Sequence, residues 1–335
     1  MKSEKWMMKK GIVGLLMACL SGTASAQYIP AYQPDSFAVK AADVVYWHKG
    51  NLLKHLEVSL TVGTSGVGLD LAVPLSQYVQ VRAGYDYMPP IKLKYSHKVL
   101  GNGKEPVAYD ANGNRQETPF DRISEYYYKQ HGYQLHDHVD LKAKLTMNNF
   151  KLLFDVYPLK YNKSWHITAG VYIGPAQFAK VNEADGQKEM MDAILTYNKE
   201  YRAATDGSLK DMGLLSIQMG NYSHNFQQGD KQRLMNAAYE MEPTAEGNVE
   251  ILCTSNSIKP YLGLGYGGLL FPSRNDWKIT VELGAMIWGG TPTMRTHDGT
   301  DLTKDIKDYP HSITKIVKAL KVYPVLSVRV AKTLF

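Results

Sequence analysis

Strict alternation of apolar and polar side chains, sustained over segments of about ten residues, constrains this chain more than any other feature. In Leu56–Val62 the even positions are apolar, and in Val67–Val73 the odd ones are. Val79, Val81, Ala83, Tyr85 and Tyr87 alternate with Gln80, Arg82, Gly84 and Asp86. Val139, Leu141, Ala143, Leu145 and Met147 follow. At Asn148-Asn149 the apolar phase passes to Phe150, Leu152, Phe154 and Val156, which suggests a bulge within one strand. Trp165–Ile173, Ile258–Tyr266, Ile279–Ile287 and a run ending at Phe335 complete the set. Successive side chains of a strand point to opposite faces, so the pattern predicts eight strands.

Alternation alone also describes a soluble sandwich or lipocalin-like barrel. The polar face separates the readings. It carries Glu57, Asp70, Arg82, Asp86, Asp140, Lys142, Lys144, Lys151, Asp155, Lys278, Glu282 and Arg329, nearly balanced in sign. Mutually paired charges inside and an apolar band outside are the pattern of a small membrane barrel. A closed barrel is also one of only two ways to satisfy every backbone group in lipid. The predicted fold is therefore all-β: an eight-stranded antiparallel transmembrane β-barrel with long, partly helical extracellular loops.

Loop lengths point the same way. The even connections, Pro74–Gln77, Pro158–Ser164 and Phe271–Asp276, are short. The odd ones are a tight Gly63–Gly66 followed by long loops at about 88–138, 175–257 and 289–321. Short periplasmic turns and long external loops are the asymmetry expected of an outer-membrane barrel. Within the loops, Met190, Ile194, Tyr197 and Tyr201 recur at helical spacing, as do Leu234, Ala238 and Met241, and Ile313, Ile316, Val317 and Leu320. Leu215, Ile217 and Met219, with Val249, Ile251 and Cys253, form further alternating runs that extend strands above the membrane or make a ten-stranded barrel.

Residues 1–26 read as an export signal: Lys9 and Lys10 precede the apolar Gly11–Leu20, and Ala24-Ser25-Ala26 supplies a small-residue cleavage site. The competing reading is a lipobox at Leu16–Cys19, which would leave Cys19 lipidated. Residues 27–54 form an N-terminal periplasmic segment and 55–335 the barrel. The signal holds four lysines and one glutamate, hence +3 of the formal +6, which leaves the rest near +3 and implies no nucleic-acid partner. With the signal removed only Cys253 remains, which excludes an internal disulfide and a cysteine-based zinc site.

Gly263, Gly265 and Gly268 match G-x-G-x-x-G, but Pro272 and a Ser-Arg-Asn-Asp turn follow where a dinucleotide site needs a helix. Gly263, Gly265 and Gly267 instead share the inner face, making room for long side chains in a narrow lumen. On this reading Gly265→Ala is nearly silent. His136 and His138, with His131 nearby, could ligate zinc or copper, against the plainer reading of a solvated loop base. Tyr126-Tyr127-Tyr128 and Tyr133 read as a membrane-interface girdle, or as a sugar- or peptide-stacking patch. No nucleophile constellation is visible, and no catalytic, cofactor or metal site is assigned.

Val62–Tyr87, Leu141–Leu159, "KPYLGLGYGG" and "KVYPVLSVRVAKTLF" together resemble small Gram-negative outer-membrane β-barrels of the group related to the OmpA transmembrane domain and OmpW. The resemblance implies a non-enzymatic outer-membrane protein with an envelope or surface-interaction role. Its alternative is a narrow or gated OmpW-like channel for small or apolar solutes. It implies as partners outer-membrane lipid and lipopolysaccharide, the barrel assembly machinery and an extracellular partner through the loops, with no cofactor. One departure is at the C-terminus, where Thr333, Ala331 and Arg329 share the phase of Phe335 while Leu334, Val330, Val328 and Leu326 hold the apolar phase, so a bulge precedes the end or Phe335 points differently.

Overall fold

The computed structural model describes residues 56–334, apart from 77, 160, 161, 206, 272, 273, 309–316 and 318–320. The expected signal, the 27–54 segment, Cys19, Phe335 and most of the Ile313–Leu320 run lie outside the described residues.

Eight strands close into an antiparallel barrel. In their order around the wall they are β1 (Glu57–Gly63), β2 (Gly66–Pro74), β3 (Val79–Tyr87), β8 (Asn149–Val156), β9 (Trp165–Ile173), β16 (Ile258–Phe271), β17 (Arg274–Ile287) and β20 (Val322–Thr333). Closure is made by β1 on β20, where Leu60 opposes Val330 and Thr61 opposes Arg329. The predicted barrel is thus the observed one, with eight strands and not ten. β20 runs against β1 and β17 without a register shift from Val322 to Thr333, so no bulge precedes the end of the described chain.

Connections alternate as expected. One barrel end carries the short β2–β3, β8–β9 and β16–β17 turns; the other carries the β1–β2 hairpin and three long excursions. Those excursions build a second sheet, here termed the cap. Its strands are β4 (Ile91–Gly101), β7 (His138–Leu145), β10 (Gln177–Glu183), β11 (Leu215–Tyr222), β14 (Ala238–Met241), β15 (Glu250–Thr254) and β18 (Thr293–Thr296), in the order β14-β11-β4-β7-β10-β15-β18. β19 (Ile306–Lys307) adds to β11, and β5 (Ala108–Tyr109) with β6 (Arg115–Gln116), and β12 (Phe226–Gln228) with β13 (Lys231–Arg233), are small hairpins.

Five cap strands continue barrel strands without a change of order: β4-β7-β10-β15-β18 stand over β3-β8-β9-β16-β17. The breaks between the two levels contain Pro89-Pro90, Pro175 and Pro292 in three of the five cases, residues that cannot donate to a ladder. Val139–Met147 therefore belongs to the cap and not to a membrane strand, and the first long excursion runs to residue 148 rather than 138. No bulge reverses the side-chain facing at Asn148-Asn149. Val139, Leu141, Ala143, Met147, Asn149, Lys151, Leu153 and Asp155 are all odd-numbered and all buried. What changes is the chemistry, from an apolar interior in the cap to a charged one in the barrel.

The cap has the core of a water-soluble domain. The helix Lys188–Ala203 buries Met190, Ile194 and Tyr197, as the spacing predicts, together with Met191, while Tyr201 is only partly buried. Its buried Asn198 also donates from Nδ2 to the Leu215 carbonyl at 2.8 Å and accepts from the Leu215 amide at 2.9 Å, tying the helix to β11. A second helix, Pro119–His131, begins with a reciprocal capping box: the Asp121 amide donates to Thr118 Oγ1 at 3.2 Å and the Thr118 amide to Asp121 Oδ2 at 2.9 Å. Leu234, Ala238 and Met241 are not helical: Ala238 and Met241 lie in β14, and Leu234 is exposed. Pairing of β14 with β11, where Met241 opposes Ile217, overrides their period-3.6 spacing.

Candidate functional site

The barrel interior is the most chemically loaded place in the molecule, and all eight barrel strands contribute to it. Their outward positions are apolar and exposed: Leu60, Leu69, Tyr85, Phe150, Ile167, Leu262, Leu283 and Val328, one per strand. Their inward positions are polar and buried. At the centre, Arg82 Nη2 reaches Asp155 Oδ1 at 3.1 Å and Glu282 Oε2 at 2.9 Å. Thr168 donates to Asp155 Oδ1 at 2.9 Å, Tyr261 to Glu282 Oε1 at 2.6 Å, and Arg329 lies 3.6 Å from Asp155 Oδ2.

Towards the cap, Lys151 Nζ bridges Asp70 at 2.7 Å and Asp86 at 2.6 Å. Thr61 donates to the same Asp70 and Ser65 to Asp86, at 2.8 and 2.9 Å. Lys259 Nζ donates to Asn149 Oδ1 at 3.2 Å. At the short-turn end Gln80 Nε2 donates to Glu57 Oε2 at 2.7 Å, and Lys278 holds the other Glu57 oxygen. Five carboxylates, Glu57, Asp70, Asp86, Asp155 and Glu282, thus meet four cations, Arg82, Lys151, Arg329 and the half-exposed Lys278, while the buried Lys259 has the Asn149 amide oxygen as its partner. Burying an ion is expensive unless it is paired and hydrogen-bonded, and each of the five carboxylates has at least one cation within 4 Å.

Of the predicted lining residues, Glu57, Asp70, Arg82, Asp86, Lys151, Asp155, Glu282 and Arg329 are buried inside the barrel, whereas Lys278, at the short-turn end, is exposed. Asp140, Lys142 and Lys144 are not lumen residues, because their segment is in the cap with even positions outward. The network closes the lumen. Asp70, Asp155 and Thr168 are 0% exposed and Arg82 2%. Above it an apolar layer of Leu153, Tyr172, Tyr261, Met286 and Val325 is continuous with the cap core.

The glycines serve this packing. A Cβ on Gly263 or Gly284 would meet the Tyr261 ring, and one on Gly265 would enter the ring of His166 from the neighbouring strand. The inward face of the glycine strand makes room for rings, as predicted, although the rings come from the same and the adjacent strand. A silent Gly265→Ala is therefore no longer expected, since the added methyl would require the buried His166 imidazole to move. β16 continues into β17, so no helix follows the glycine motif.

Sequence reasoning did not assemble Asp155, His166 and Glu282, which lie on three strands and offer ligand atoms within 4.8 Å of one another. The donor set suits a divalent cation poorly, because Arg82 lies against both carboxylates and Arg329 against one of them. The arrangement is an ion-pair cluster. The three loop histidines have separate partners: His131 Nε2 is 2.8 Å from Glu200, His138 Nδ1 is 2.7 Å from Asp137, and His136 packs edge-on to Tyr133. Tyr126–Tyr128 sit on the capped helix, with Tyr127 buried and Tyr126 against Tyr197, and do not form a membrane girdle. The Thr118-Pro119-x-Asp121 start signal was present in the sequence and would have revealed that helix. An open cleft of about 420 Å³ beside it is lined by Arg115, Ser124, Tyr128, Gln134 and His136.

These features define a closed eight-stranded barrel with a charged, filled interior, an apolar exterior and a folded cap at one end. No family model matches the chain, and no curated protein does. Among solved structures, the chain is similar to CarO2 of Acinetobacter baumannii at 14% identity, covering 83% of this chain and 98% of that one, with a TM-score of 0.36. For CarO of the same organism the values are 17%, 84%, 99% and 0.36. For a major outer membrane protein of Thermus thermophilus they are 12%, 84%, 98% and 0.24. These values assign no family, and the barrel stands on its own strand pairing.

Proposed function

We propose that the chain is a non-enzymatic outer-membrane β-barrel whose lumen is closed and whose cap, on the cell surface, carries its interactions. Residues 1–26 serve as the export signal and 27–54 as a periplasmic segment in this reading. The observation that carries it is the exchange of polarity between the two levels of one wall. A water-soluble monomer rarely exposes a contiguous apolar patch beyond a few hundred Å², whereas here a belt of exposed Leu, Ile, Val and Phe encircles the barrel. Tyr85 and Tyr87 border the belt at the cap end, and Tyr78, Trp165 and Tyr266 at the other, as aromatic residues do at the two interfaces of a bilayer.

The channel alternative requires hydrated lumen residues, and the burial of Asp70, Arg82, Asp155 and Thr168 weighs against it. The test is fractionation with unboiled and boiled gels, followed by protease treatment of intact cells. The proposal expects heat-modifiable migration in the outer-membrane fraction and cleavage within residues 88–148 or 174–257. Recovery in the soluble periplasmic fraction would contradict it.

A further inference from the structure

Across β4, β7, β10, β15 and β18 the cap sheet turns one face to its own core and the other outward, and the outward face is cationic. Lys92 lies directly opposite Lys144, and Lys144 directly opposite Lys180. The row continues through Leu252 to Arg295. Two residues along the strands, Lys94 lies opposite Lys142. Neighbouring strands are about 4.8 Å apart, so the three-lysine row spans about 10 Å. Like charges directly opposed across a ladder are destabilising. Carboxylates answer only part of this charge: Lys142 pairs with Asp185 at 2.6 Å, a carboxylate that Lys92 and Lys94 face at longer range, and Lys180 pairs with Glu250 at 2.5 Å. Asp140, on the same face, accepts from Ser96. Lys92, Lys94, Lys144 and Arg295 have no carboxylate at salt-bridge distance among the described residues, and the first three are adjacent.

The position of the row selects its partner. Lys142 and Lys144 have the facing of Phe150 and Leu152, so they continue the belt side of the wall and do not look over the barrel mouth. Tyr87, Phe150 and Ile173 are exposed apolar residues at the cap end of their strands, and Lys92, Lys144 and Lys180 stand five, six and seven residues beyond them along the same run of chain. Strand tilt shortens the rise, and lysine stems lying along apolar surface carry their ammonium groups towards the headgroup layer.

We propose that this face is a docking surface for lipid-borne phosphate, centred on Lys92, Lys94 and Lys144, and that its occupant is the phosphorylated headgroup of a lipid in the leaflet around the barrel. The inference rests on the outer-membrane reading. Its test uses the full chain folded in non-ionic detergent, with a diphosphorylated glucosamine lipid in mixed micelles as the probe and inorganic pyrophosphate as the soluble comparison. The Lys92→Gln, Lys94→Gln, Lys144→Gln triple variant is expected to bind the lipid about a hundredfold more weakly, from roughly 1 kcal/mol per basic residue near a charged surface. Lys98→Gln, whose lysine is already paired with Glu105, should bind as the wild type does. Equal affinity of wild type and triple variant would overturn the proposal, and pyrophosphate binding as tightly as the lipid would replace lipid docking with a free-phosphate site. Loss of heat-modifiable migration in the triple variant alone would assign the lysines to folding, and so also overturn the docking role. Absence of a heat-modifiable form of the wild type would instead fault the barrel reading itself.

Discussion

Lys144 and Lys151, seven residues apart on one run of chain, face opposite sides of the same wall. Lys144 is exposed on the outer face of the cap, whereas Lys151 is 4% exposed inside the barrel, held by Asp70 and Asp86. Between them the wall turns inside out chemically while its facing stays constant. A soluble sheet needs apolar residues within; a lipid-embedded barrel needs them without. The chain meets both requirements by changing residue type at Asn148-Asn149.

The outer belt is tested by charge. Leu69, on β2, is 59% exposed, and Leu69→Arg places a cation against lipid at a cost of about 2–4 kcal/mol near the midplane. The variant is expected to lose heat-modifiable folded protein in the outer-membrane fraction. Lys94→Leu, on the cap, should fold normally by the same gel.

Removing Arg82 tests the interior. Asp155 and Glu282 would keep their charge without their main cation, and breaking such a buried pair costs about 3–5 kcal/mol. Arg82→Met should therefore lower the temperature at which the unboiled band converts to the unfolded one. Adding Glu282→Gln to Arg82→Met removes one stranded charge and should recover part of the loss; a double variant worse than the single would show that the ion pairs do not set this stability.

Two glycines of the G-x-G-x-x-G match are predicted to differ. A Cβ at Gly265 would enter the His166 ring, while one at Gly268 meets nothing within 4 Å. Gly265→Ala should destabilise by about 1–3 kcal/mol, as overpacking does, and Gly268→Ala should be silent in the same thermal gel assay. Equal behaviour of the two would remove the packing account of this strand.

The extent to which this architecture could be read from sequence has a physical limit. The eight barrel strands were visible because Arg82, Asp86, Lys151 and Asp155 interrupt apolar residues at period 2, which a membrane wall requires. Val139–Met147 misled because an apolar residue alternating with Lys142 and Lys144 looks the same whether it faces lipid or a soluble core. Only the partner strands distinguish the cases, and β4 and β10 are distant in sequence. The Asp155, His166 and Glu282 cluster was hidden for the same reason: β8, β9 and β17 meet through barrel closure, which no local pattern records.

Cys253 offers a probe of the cap. It is 4% exposed in β15, and burial pushes its thiol up to about 12. Because the thiolate is the reactive form, iodoacetamide at pH 8 should leave the folded protein unmodified and label it fully in denaturant, as read by intact mass. Rapid labelling without denaturant would mean that the cap core opens.

Single-channel recording in planar bilayers tests the central claim, the closed lumen, most directly. With Arg82, Lys151, Asp70, Asp86, Asp155 and Glu282 paired across the interior and an apolar layer above them, folded wild-type protein is expected to insert without stepwise conductance. Folding of the same sample is verified independently by heat-modifiable migration, and insertion by its co-flotation with liposomes. Reproducible unitary steps from that verified, folded wild-type protein would contradict the account, because ions do not pass through an interior filled by packed side chains and shielded from water.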